Sequence, residues 1–114
     1  MSRSPLVLAS LAGIGVIAVA LPAAAATPIL KGSVGPGFTI GLAKKPTKPG
    51  KYAFAITDKA TIHNFHLVGP GVNKKLTSVD GTGTSKPVTL TLKKGTYKYY
   101  CDLHPSLKGS FKIS

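Results

Sequence analysis

The chain has 114 residues, enough for one small domain, and carries fifteen basic side chains against three acidic ones, a formal net charge of +12. A single cysteine, Cys101, excludes an internal disulfide. Arg3 is the only arginine, so a surface that reads phosphates and bases through guanidinium groups is not expected, although the chain is basic.

The N-terminus reads as an export signal. Arg3 gives a positive start and Leu6 to Leu21 a nearly unbroken apolar run, which Pro22 breaks before the small residues Ala23 to Ala26. We expect residues 1–26 to be a signal peptide cleaved after Ala26, and residues 27–114 to form the mature domain. An uncleaved anchor is the alternative, since the run is slightly short for a full span. The cleavage region has no cysteine for a lipid anchor and the segment no twin arginine, which points to general secretion of an unfolded chain. The product would be periplasmic or extracellular.

The remaining 88 residues lie near the size at which one hydrophobic core is marginal without a staple. Small exported domains often use disulfides, which this one cannot. Cys101 is therefore either a free thiol in an oxidising compartment or a ligand to something that protects it. A bound metal would do so and add folding free energy.

No amphipathic helical pattern is evident. Short alternating apolar runs punctuated by Gly and Pro predict an all-β sandwich of about eight strands. The predicted strands are 29–34, 38–42, 52–57, 63–68, 76–79, 88–92, 97–101 and 109–113. Turns fall at Gly35-Pro36-Gly37, Lys44 to Gly50, Gly69-Pro70-Gly71 and around Asp80-Gly81. Tyr52, Phe54 and Ile56 should share one buried face, as should Tyr97, Tyr99 and Cys101, with Lys98 and Tyr100 opposite.

Two stretches carry chemistry. Tyr97 to Phe111 places Cys101 and His104 on one tight turn, a soft thiolate and a borderline imidazole at close range. His63-Asn64-Phe65-His66 supplies two more imidazoles; on a strand, His63 and Phe65 would share a face, with Asn64 and His66 on the other. If His63 joins Cys101 and His104, the set suits copper with a weak or missing fourth ligand, or tetrahedral zinc completed by water. His66 is expected to be structural, on the opposite face.

His63-Asn64 followed by Gly95-Thr-Tyr-Lys-Tyr-Tyr-Cys-Asp-Leu-His-Pro-Ser-Leu-Lys-Gly resembles the blue copper proteins of the plastocyanin, azurin and amicyanin (cupredoxin) family, over essentially the whole mature domain. The resemblance implies a Greek-key β-sandwich with one type 1 copper at one end. It implies His63, Cys101 and His104 as metal ligands, with Asn64 tying the two ligand loops together by hydrogen bonds. The chain departs from the family at Leu103, often proline there, and at Leu107, where an axial methionine usually stands. Leucine cannot coordinate, and Met1 is the chain's only methionine. A three-coordinate site with a distant contact from the Ile62 carbonyl is expected rather than a degenerate one, because the other ligands and Asn64 remain in place. Without the thioether, Cu(I) and a raised reduction potential are favoured.

The expected activity is outer-sphere electron transfer, leaving through His104 and an apolar patch of Leu103, Pro105 and Leu107, with Tyr100 as a second contact. An exported copper carrier or buffer is the alternative. Enzymatic activity is not expected: related copper oxidases need further histidine-rich sites, and a cysteine nucleophile would lack an orienting group beyond Asn64 and Asp102. The expected partner of this monomer is an acidic redox protein or an anionic envelope surface rather than nucleic acid, with membrane contact only through an uncleaved signal segment.

Overall fold

The computed structural model describes residues 26–114, so the expected signal peptide lies outside the described residues except for Ala26. Nine strands and no helix make up the described part: β1 (Ile29–Val34), β2 (Ile40–Leu42), β3 (Gly50–Asp58), β4 (His66–Gly69), β5 (Val72–Lys75), β6 (Gly83–Thr84), β7 (Val88–Leu92), β8 (Gly95–Tyr100) and β9 (Lys108–Ile113). They form two sheets. In one, β1 lies between β2 and β3, and β3 also pairs with β6 and β7; the other runs β5-β4-β8-β9. Every pairing is antiparallel except β1 with β3, which run parallel from Ile29 opposite Ala53 to Val34 opposite Asp58.

The two inner faces meet in one core. Leu30, Val34, Phe54, Ile56 and Leu92 come from the first sheet, and Leu67, Tyr97, Tyr99, Phe111 and Ile113 from the second. Period-two alternation delivers these residues inward: in β8, Tyr97 and Tyr99 are buried while Thr96 and Lys98 are exposed. Phe65 stacks on Tyr99 and Tyr97 on Phe111, with ring centroids 5.0 and 5.3 Å apart. The Tyr97 hydroxyl, carried into the core, donates to the Pro70 carbonyl and accepts the Lys93 N–H, both at 2.8 Å. That leaves no unpaired polar atom on the ring.

The sandwich agrees with the sequence reading, and several strand bounds do not. The stretch 63–68 is strand only from His66; His63, Asn64 and Phe65 precede it. Phe65 accepts and donates outside any ladder, its N–H going to Thr77 Oγ1 and its carbonyl receiving the Leu76 N–H. The expected strand 76–79 is absent; its place is taken by β5, which pairs with β4 through the two-residue turn Pro70-Gly71. Gly71, with φ of 72°, provides the left-handed residue that this turn needs. β2 begins at Ile40 rather than Phe38, and a two-residue strand at Gly83–Thr84 lies in what reads as a turn.

Candidate metal centre

The three candidate ligands come from two loops at one end of the sandwich. The first leaves β3 at Asp58, whose Oδ1 accepts the Ala60 N–H and tightens the turn that leads to His63. The second starts at Cys101, immediately after β8, and ends where β9 begins. Three backbone hydrogen bonds close it: His104 N–H to the Cys101 carbonyl, Leu107 N–H to the His104 carbonyl, and Cys101 N–H to the Leu107 carbonyl. Neither His63 nor Cys101 therefore sits on a strand, as the period-two reading had it; both lie just beyond strand ends, where side chains are released from the alternation.

The loops bring His63, Cys101 and His104 together, with one ligand atom from each lying within 4.8 Å of the others. Cys101 Sγ is 3.7 Å from His63 Nδ1, 3.7 Å from His104 Nδ1 and 3.9 Å from the Ile62 carbonyl oxygen. Cys101 and His63 are fully buried and His104 partly so. His63 Nε2 is buried without a hydrogen-bond partner, so Nδ1, turned toward the thiol, is the only nitrogen of that ring with a polar neighbour. A buried imidazole this poorly satisfied is costly unless a bond at Nδ1 offsets it. Two Nδ1 atoms and one sulfur converging at this range are the donor set of a soft or borderline metal ion.

No family model and no curated protein matches the chain. Among solved structures it is similar to a purple cupredoxin from Nitrosopumilus maritimus, with 16% sequence identity and a TM-score of 0.44, over 74% of this chain and 98% of that one. At that distance the likeness carries nothing about activity. The chain itself shows a two-sheet β-sandwich with a His-Cys-His cluster at one end.

In this β-sandwich domain Asn64 links the two loops. Its Oδ1 accepts the Asp102 N–H and its Nδ2 donates to Asp102 Oδ2, both at 2.8 Å. Asp102 is also held by His66, whose Nδ1–H donates to Oδ1 at 2.8 Å, while Lys75 Nζ lies 3.8 Å from Oδ2. Burial by itself would raise the Asp102 carboxyl. The hydrogen bonds from His66 and Asn64, with the positive charges of His66 and Lys75, together outweigh it and hold the group below its ordinary value.

Leu107 is buried against the core that includes Cys101, and its backbone bonds to both Cys101 and His104. It cannot belong to the exposed apolar patch read from the sequence. The exposed large apolar side chains of the two ligand loops and the Gly35–Thr39 turn are instead Leu103 (59% exposed), Ile62 (49%) and Phe38 (70%), and Pro105 is exposed as well. Phe38 is the site residue that the sequence reading missed. Its ring lies edge-on to both imidazoles, with centroids 5.5 Å from His63 and 5.1 Å from His104. In the sequence it reads only as the first residue of the expected strand 38–42, after the Gly35-Pro36-Gly37 turn.

Proposed function

We propose that this domain binds one copper ion through His63, Cys101 and His104 and carries single electrons outside the cytoplasm. The observation that supports this most is the convergence of the two Nδ1 atoms on Cys101 Sγ at 3.7 Å each. Copper held there would supply the one-electron redox chemistry.

The chain's own part is to hold the three donors still. His63 is fixed by the Asp58 turn and the anchored Phe65 backbone, and Cys101 and His104 by the closed loop that Asn64 ties to the His63 segment. Ligands that need not move between oxidation states lower the reorganisation cost of electron transfer. Burial of Cys101 and His63 keeps bulk water from the thiolate, which protects it from oxidation. His104, half-exposed and ringed by Phe38 and Leu103, is the exit to a partner. Residues 1–26 act as a signal peptide, so copper is loaded after export.

A copper carrier or buffer is the second reading, favoured by one observation: no methionine lies among the described residues, and Leu107, where the resembled family usually has a methionine ligand, could not coordinate copper. A thiolate–imidazole set without a fourth donor favours Cu(I), which a carrier would hand on. Copper titration separates the two. An intense visible copper–thiolate band with reversible one-electron cycling supports electron transfer. Copper retained only as Cu(I) and released to a competing chelator supports the carrier.

A further inference from the structure

We infer that His66, together with Asn73, is a positioning device that fixes the Cys101–His104 loop before any metal binds. The inference deepens the copper-site reading and rests on it only for what the loop is for. His66 is 8% exposed and one of four buried polar or charged residues among those described. Its ring is hydrogen-bonded at both nitrogens, Nδ1 to Asp102 Oδ1 at 2.8 Å and Nε2 to Asn73 Oδ1 at 2.6 Å. The imidazole thus bridges the β4–β5 hairpin and the residue that follows Cys101.

The network continues inward. Asp102 gives its N–H to Asn64 and takes the Asn64 amide on its second carboxylate oxygen. An uninterrupted chain, Asn73–His66–Asp102–Asn64, therefore runs from the exposed hairpin to the residue next to His63. Asp102 is one of only three acidic residues in the protein, and His66 one of three histidines. Using both at this spot restrains the Cys101–Asp102 peptide from the side-chain end as well as from the backbone. His66 also lies directly opposite Tyr100 in the β4–β8 pairing, with ring centroids 5.0 Å apart, so the ring cannot swing off Asp102 without losing that contact. Outer contacts of this kind orient metal-binding groups and set how readily the metal is lost.

The test compares wild type with His66→Leu, His66→Gln and the exposed-site variant Asn73→Ala. Backbone amide exchange is read residue by residue in the copper-free protein, and copper loss to excess bathocuproine disulfonate in the loaded protein. His66→Leu is expected to exchange the Asp102 and His104 amides about tenfold faster, the factor for one lost hydrogen bond to a charged group, with β1 and β3 amides unchanged. Asn73→Ala should show a smaller rise at the same amides, and His66→Gln, which keeps a donor toward Asp102, should fall between wild type and His66→Leu. Copper loss should follow the same order. Unchanged loop exchange, or a rise spread evenly over both sheets, would overturn the inference. If His66→Leu does not fold, the other two variants decide by the same criterion. The exchange measurement needs no copper, so a protein that retains none would refute the copper reading while leaving this test intact.

Discussion

Cys101 and Leu107 sit at the two ends of one closed turn, joined by the Cys101 N–H to the Leu107 carbonyl, and they govern different properties. The sulfur decides whether there is a centre at all. Cys101→Ser should abolish the visible band and most of the copper affinity, checked by absorption and copper titration, since only the sulfur of this fully buried side chain is replaced. Leu107, where the resemblance puts the usual fourth ligand, is proposed to set the potential. Leu107→Met should lower it by roughly 60–120 mV, one to two factors of ten in a one-electron equilibrium, as measured by voltammetry. An unchanged potential would place Leu107 away from the axial direction. Asn64 supports both: Asn64→Ala removes two hydrogen bonds between the loops and should cost about 2 kcal/mol in chemical denaturation of the copper-free protein.

At the scale of elements, aromatic rings pack closely against glycine within the second sheet. A Cβ at Gly69 would run into the Tyr97 ring, and one at Gly109 into Tyr99. Gly69→Ala should therefore destabilise by about 1–3 kcal/mol, the usual range for overpacking, seen as a lower denaturation midpoint with an unchanged slope. The same elements explain what the sequence disclosed. β7, β8 and β9 were legible because strict alternation coincides with one buried face, as in Val88-Thr-Leu-Thr-Leu. The His63–Phe65 segment was misread as strand because its burial comes from loop packing around the site, which has no period. β5 was missed because Asn73, Lys74 and Lys75 are exposed on an edge strand, and a ladder with one buried residue leaves little apolar pattern. The meeting of His63, Cys101 and His104 was legible from the Cys101–His104 spacing and, for His63, from the family resemblance. Phe38 was not, because nothing in an isolated aromatic signals contact with two distant imidazoles.

For the whole molecule, fourteen lysines and three aspartates would set the terms of encounter with the proposed redox partner. Two of the aspartates are taken up inside, Asp58 being buried and Asp102 bound by His66 and Asn64, so the outer field is almost wholly positive. Lys98 and Lys108 flank Tyr100 in a groove beside Pro105, close to the proposed exit at His104. Electron exchange with an anionic partner should be fast at low salt and slow down as ionic strength rises, whereas a cationic reagent should show the opposite trend. Stopped-flow rates measured with ferricyanide and with a cationic cobalt complex over a salt series check both signs. Addition of Cu(II) to the purified protein tests the proposed metal centre most directly. One equivalent should bind, with an intense visible copper–thiolate band and reversible one-electron voltammetry at a potential raised by the missing thioether. A protein that retains no copper and develops no visible band would contradict it.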